Sequence, residues 1–399
     1  MSSRIIRALA LPAAAAAGLA LAGAAAAPAA ARAPRPPYGY VTNSGSGNVT
    51  PFDTALKTPG KPIPVTGSPG AMVFSPNFQF LYVASSAGVT PVGTDWDAAG
   101  KLIAIPAGVA AMVITPNGKT LYVTTRLTSA KVSTVIPIST ATRKAGKPIT
   151  FAPGAGQNPS PLVITPNGKT VYVASALGTV TPISTATGKA GKVIPFGFKD
   201  PAGTARLAIT PDGKTLYAFI SDPGKTVTTV TPISTATNKA GTPVPVGQGP
   251  LTIAFSPDSK TAYVASSGEG AKTWVHAKLT PVSTATQKPG PFLKLGPAAD
   301  EINLAVMPDG SRIYADAIWN GNKDNSTWAI STVPLAFTKH WFGPSYPRAM
   351  ALTPDAKTLF VIDAAPGGQG IVVNFTTTDN RYHPGFWVGA GPTSIAIQP

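Results

Sequence analysis

The sequence has no cysteine. Disulfides, thiolate chemistry, thiolate metal sites and a cysteine-linked lipid anchor are therefore excluded. Acids are scarce: 16 Asp+Glu stand against 32 Lys+Arg, a formal charge of +16 over 399 residues. Only two of them are glutamates, Glu269 and Glu301. Histidine occurs three times, as His276, His340 and His383, in separate units without ligand spacing, so no histidine metal centre is expected. Gly-x-Ser-x-Gly elbows and phosphate-binding glycine loops are missing. No window shows a sustained helical period. Beyond the N-terminal segment, no run could span a membrane as a helix.

That N-terminal segment has its own character. Arg4 and Arg7 precede an alanine-rich apolar run from Ala8 to Ala27, followed by small residues. This is the pattern of a secretory signal peptide, assigned to 1–31 with cleavage between Ala26 and Ala31; the alternative is an uncleaved anchor helix. The absence of a twin arginine favours the general export route. Residues 32–37 form a proline-rich linker and 38–399 the folded domain. A secreted or cell-surface location is expected, and a chain of this length can bury enough surface without disulfides.

What the sequence does contain is a repeated phrase. Thr115-Pro116-Asn117-Gly118-Lys119-Thr120-Leu121-Tyr122-Val123 returns at Thr165 to Val173 and, nearly unchanged, at Thr210 to Tyr217. Weaker copies lie at Ser75 to Val83, Ser256 to Val264, Met307 to Ala315 and Thr353 to Val361. Each unit has an apolar run, an Asn-Gly or Asp-Gly type turn, a second run carrying the aromatic, a third such as Val180-Thr181-Pro182-Ile183-Ser184, and a short fourth. Runs of this length between such turns are hairpin strands, so each unit reads as a four-stranded antiparallel meander. A lone sheet cannot bury both faces. Packing such sheets face to face in a closed ring solves this and predicts an all-β β-propeller.

The two ends support closure. Gly391 to Pro399 reads as a first strand with nothing after it, and Tyr38 to Asn43 as a second strand with no first strand before it. The ring is therefore expected to close by pairing of the N- and C-terminal strands. The second-strand aromatics are Tyr40, Tyr82, Tyr122, Tyr172, Tyr217, Tyr263, Tyr314 and Phe360. The third-strand positions are taken as Pro51, Pro91, Pro137, Pro182, Pro232, Pro281, Pro334 and Asn374. Both series predict eight blades, with seven as the runner-up.

Tyr40-Val41-Thr42-Asn43 and the Thr-Pro-Asn/Asp-Gly-Lys-x-Leu-Tyr-Val phrase resemble the YVTN-type β-propeller repeat family over nearly all of 38–399. The resemblance implies an exported or surface propeller, commonly of seven blades, with lactonase-like propellers among the relatives. This chain departs from the pattern by placing proline in the third strand. Such a proline deletes a ladder donor, so it should lie at a bulge or beside a weakly paired neighbour. Further prolines in the fourth strand, Pro62, Pro64, Pro195, Pro243 and Pro245, should blunt edge-to-edge association.

The geometry of a propeller sorts the charges. Lys119, Lys169 and Lys214 lie in first turns, and Lys189 and Lys192 beside third-to-fourth connections, so all five belong to one basic face. That face suits an anionic wall polymer or other polyanion; equally, lysine is an ordinary solvated turn residue copied by duplication. The lysines are not interleaved with stacking aromatics, which argues against nucleic acid. The opposite face carries the loops that vary. Ser266 to Lys278 contains Glu269 and Trp274, Pro297 to Glu301 ends in Asp300-Glu301, Asp316 to Ile330 contains Trp319 and Trp328, and Gly343 to Arg348 adds Arg348. Trp beside Asp, Asn and Glu suits sugar recognition, and tryptophans that simply close long loops over their own blades are the alternative. Asn320 to Asn325 faintly resembles a calcium loop, but Lys323 interrupts it and no bidentate Glu follows.

No cofactor and no metal are expected. The first functional expectation is a monomeric, non-enzymatic binding scaffold for extracellular glycans or surface proteins. The candidate ligand residues are Glu269, Trp274, Glu301, Asp316, Trp319, Trp328 and Arg348. The second is a lactonase-like hydrolase drawing on Glu301, Asp316, Asp363, His276 and Arg348 near the central opening. The third is a structural surface protein docking by its basic face.

Overall fold

The computed structural model describes residues 38–125, 133–151, 161–175, 177–197, 204–221, 228–268, 276–319, 326–342, 346–364 and 368–398. Residues 1–37, expected to hold a signal peptide and a linker, lie outside these residues, as do Glu269, Trp274 and the 320–325 segment. Among the described residues every regular element is a β-strand. They form eight antiparallel sheets in sequence order, which we number blades I to VIII.

The ring is closed as the termini imply. Blade I takes its innermost strand, Pro392–Ile397, from the C-terminus and pairs it with Tyr38–Asn43, placing Val41 opposite Ile395. The innermost strands adjoin one another right around the ring, with Pro392–Ile397 lying between those of blades VIII and II. The core is not one mass but eight clusters, each filling the gap between two successive blades, the VIII–I gap included. The strand period of two produces this division. Tyr40 packs toward blade II and Val41 toward blade VIII. Tyr82, Tyr122, Tyr172, Tyr217, Tyr263, Tyr314 and Phe360 all pack toward the following blade.

The repeated phrase has a local cause. Thr115 Oγ1 donates to Asn117 Oδ1 at 2.7 Å, the same oxygen accepts from the Lys119 amide at 3.0 Å, and Thr115 Oγ1 accepts from the Thr120 amide at 3.1 Å. In blade V Asp212 Oδ1 likewise accepts from Thr210 Oγ1 and the Lys214 amide, and Thr210 Oγ1 accepts from the Thr215 amide. The glycine is required twice over. Gly213 has φ +71°, and a Cβ there would meet Pro166 Cδ of the preceding blade's turn at 2.6 Å. Thr140 Oγ1 then donates to Gly118 O at 2.6 Å, tying the first turn to the third-to-fourth connection, so both turn classes share one face.

The third-strand prolines also find a reason. In blades I to VI the carbonyl of Pro51, Pro91, Pro137, Pro182, Pro232 or Pro281 accepts from a glycine amide of the fourth segment, at 2.7 or 2.8 Å. In an antiparallel ladder a residue's N and O point the same way, so the missing donor faces that same outer side. There the outer strand breaks: blade I has Thr58–Pro59 and Ile63–Pro64 separated by three residues, and blade V has Lys239–Ala240 and Val244–Pro245. Pro64, Pro195 and Pro245 end such short outer strands and are exposed. Pro334 departs from the expected role. Ala329, not Pro334, stands opposite Tyr314, while Pro334 falls in the turn that follows. Without proline in the third strand, blades VII and VIII carry long outer strands, Leu335–Phe342 and Arg381–Ala390.

Candidate functional site

The inner strands begin on the face opposite the lysine turns, and the end of the ring axis on that face is its mouth. Six of the eight have a register shift near this end, at Pro69, Val109, Pro250, Ala299, Pro347 and Asn43/Pro392. Bulges at strand ends re-aim side chains. The extra residues include Gly70, Ala110, Asp300, Arg348 and Thr393. Among the described residues at the starts of the inner strands, charge occurs only from blade V to blade VIII.

Glu301 lies in the inner strand of blade VII, Ala299–Val306, and Asn303 is two residues on, on the same face. Glu301 Oε2 is 3.7 Å from Arg348 Nη1 at the start of blade VIII's inner strand, with side chains 22% and 29% exposed. Arg348 Nε donates to Ala364 O at 3.2 Å. Asp316 stands directly opposite Asn303 in the ladder, fully buried, and Asn303 Nδ2 donates to Asp316 Oδ1 at 2.9 Å. Asp316 Oδ2 has no hydrogen-bond partner. Asn303 also favours the charged form of the Glu301 carboxyl, so one amide influences both acids.

The proton balance follows from burial. Burial pushes Glu301 up to about 7, against the opposing pull of Arg348, Arg206 and Asn303; the charge of Asp300 adds a smaller upward push. Burial pushes Asp316 up to about 8, and the charge of Glu301 adds to it while Asn303 opposes it. At neutral pH Asp316 therefore holds its proton, and Glu301 is close to its midpoint.

Arg206 was not anticipated. It lies in the inner strand of blade V, Thr204–Ile209, close enough for Glu301 to act on its charge, and burial holds its guanidinium below its ordinary value. Its Nε is shielded from solvent and has no acceptor. The readable signal was a lone cation at an inner-strand position where blades II, III and VIII have alanine: Ala71, Ala111 and Ala349.

Glu301, Asp316 and Arg348 thus come together, but as strand residues rather than in the loops expected for the two acids. Trp328 is not with them. It is 4% exposed, packs in the VI–VII core cluster and stacks on His340 at 5.8 Å, because its strand faces it inward. Trp319 ends the strand Arg312–Trp319 opposite Ala299; its side chain lies outside the described residues. His276 Nδ1 lies 3.1 Å from Gly296 O, and Asp363 Oδ1 accepts from the Tyr346 amide at 2.7 Å. Lys119, Lys169, Lys189, Lys192 and Lys214 are exposed on the other face. Lys214 pairs there with Asp212 at 3.5 Å, a contact too exposed to contribute much. No group of three metal-ligating side chains occurs among the described residues.

No family model matches the chain. No curated protein matches it. Solved structures do. Dihydro-heme d1 dehydrogenase NirN in complex with DHE superposes with a TM-score of 0.71 at 15% identity, covering 98% of this chain and 80% of that one. Kuenenia stuttgartiensis hydrazine synthase matches with a TM-score of 0.54 at 19% identity, over 80% of this chain and 95% of that one. A functionally unknown protein from Desulfotomaculum acetoxidans DSM 771 matches at 0.51 and 17%, over 90% and 98%. At these identities the likeness is one of fold: the chain is an eight-bladed β-propeller.

Proposed function

We propose that this protein is an exported binding scaffold of the YVTN-repeat kind, taking extracellular glycans or surface proteins at the channel mouth of blades V to VIII. One observation carries the reading: Arg206, Glu301 and Arg348, with Asp300 beside them, gather at the starts of inner strands that are otherwise neutral among the described residues. Half-buried charge of this kind is a poor source of stability, and replacing it with apolar residues is often neutral or favourable. Charged clusters with perturbed acids in an opening are more often functional. The test is a glycan array with the protein, repeated with Arg348→Ala. Retention by the wild type that the variant loses supports the reading; no retained glycan or protein opposes it.

A hydrolase of the lactonase-like kind is the second reading. The elevated Glu301 carboxyl beside a guanidinium favours it, since a general base that titrates near neutrality needs such a neighbour for a developing oxyanion. Turnover on a lactone panel, lost in Glu301→Gln, would establish it in place of simple binding.

A further inference from the structure

The fold under-uses the two arginines at the mouth. Arg206 and Arg348 both act on Glu301, whose charged form burial already disfavours, and Asp300 lies beside it on the same strand. The Glu301–Arg348 contact is a single pair at 3.7 Å, well beyond the roughly 2.7–2.9 Å of a well-made charge-assisted bond. Among the described residues, the one hydrogen bond Arg348 makes is from Nε to Ala364 O, which leaves the rest of its fork loosely engaged. Arg206 Nε is a shielded donor with nothing to donate to. Unmade bonds of this sort are rare in native proteins and call for an explanation. Opposite the charged arc, the inner-strand ends are small or neutral: Gly70, Ala110 and Thr393. Thr393 Oγ1 is joined to Thr42 Oγ1 at 3.0 Å.

We propose that the mouth binds an acidic sugar, its carboxylate taken by Arg206 and Arg348 and its neutral hydroxylated body lying toward the small residues of blades I to III. Glu301 then acts as a built-in occupant that the ligand carboxylate displaces. This rests on the binding-scaffold reading and narrows it to one ligand class. A planar carboxylate meets both deficits at once, because guanidinium groups offer forks matched to its two oxygens. The hydroxyls of a neutral sugar can accept from these donors but bring no charge to pair with them.

The charged groups facing Glu301 set the pH response. They are Asp300 on its own strand, Asp316 across Asn303, Arg348 on blade VIII and Arg206 on blade V. As pH falls through about 7, Glu301 takes up a proton and releases both arginines, whereas a sugar carboxylate stays ionised. Binding of the acidic sugar therefore strengthens toward pH 6.

The experiment is calorimetry on the whole protein with tri-galacturonate and with its fully methyl-esterified form, which has the same body without charge. The acid is expected to bind at least tenfold tighter than the ester. Arg348→Gln and Arg206→Lys should each weaken the acid about tenfold, the second keeping charge but losing the fork, and each variant is checked by its melting curve. Glu301→Gln should bind the acid more tightly and lose the pH response, a gain that misfolding cannot mimic. Equal binding of acid and ester, or a Glu301→Gln variant as weak as the arginine variants, overturns the inference while leaving a glycan-binding scaffold standing. No binding of either sugar also overturns it, and together with an empty glycan array it removes the scaffold reading as well.

Discussion

The Tyr217 hydroxyl donates to Gln287 Oε1 at 2.8 Å, reaching from the second strand of blade V to the outer turn of blade VI. The same reach recurs from Tyr40 to Asp97 at 2.8 Å, Tyr172 to Asn238 at 2.6 Å and Tyr314 to Asn380 at 3.0 Å. All four acceptors sit in the left-handed region, with φ between 47° and 56°. At the VIII–I boundary the aromatic is Phe360 and the turn residue is Lys57, so donor and acceptor are absent together. The aromatic of the repeated phrase is thus both filler and clasp.

Tyr217→Phe should lower unfolding free energy by about 1 kcal/mol, Gln287→Ala by a similar amount, and the double variant by little more than either. Chemical denaturation of the four proteins measures the coupling; strictly additive losses would mean that the clasp does not act as a pair.

Ala356 occupies the turn position held by glycine in blades III, IV, V and VII, with φ +56°. Its amide donates to Thr353 O and its carbonyl accepts from Thr377 Oγ1, and glycine keeps both bonds. An L-residue there costs about 1–2 kcal/mol, partly offset by glycine's greater freedom when unfolded. Ala356→Gly should therefore stabilise by about 0.5–1 kcal/mol, read as a raised denaturation midpoint.

Asp316 makes stability depend on pH. Its carboxyl titrates at 3.8 in the open chain and near 8 when folded. Between those values the folded state holds more protons, so stability is fully present below about 4 and lost as pH rises through about 8. Glu301 acts in the same direction from 4.5 to about 7. Asp316→Asn should flatten this slope, raising the melting temperature by about 2 °C or more at pH 8 and leaving it nearly unchanged at pH 4. Parallel melting curves at both pH values would contradict the buried-acid account.

Thr42 and Ser394 are register partners across the ring closure. Because cysteine is otherwise absent, Thr42→Cys with Ser394→Cys creates a single possible bridge. Oxidation should form it without denaturant and stabilise by about 4 kcal/mol, since it closes a very long loop. Non-reducing electrophoresis and melting curves check both parts, and free thiols persisting after oxidation would place the two strands apart.

The blade count was legible because the aromatic and its turn are set by local chemistry: Thr, Asn or Asp, Gly and Lys each have a bond or a dihedral to satisfy within six residues. Pro334 misled because a Pro after a β-branched residue reads the same in a turn as in a strand, and only pairing separates them. Glu301 and Asp316 were found by scarcity, yet assigned to loops, since a lone acid in an apolar run gives no local sign that its partner, Asn303, will be opposite. Trp328 looks like a surface ring in the sequence because nothing there tells which way a strand residue turns at a loop boundary. Arg206 was passed over for the opposite reason: among 32 basic residues, one more carries no weight until its depth is known.

The seam in blade I has a consequence for biogenesis. The sheet that begins the ring lacks its axial strand until residues 392–397 have been made. Blades II to VIII can stack without that strand, but they remain an open stack with two bare end faces. A chain lacking residues 392–397 would be left with a gap in blade I, and with the Phe52–Phe360 ring contact beside that gap left without its flanking strand.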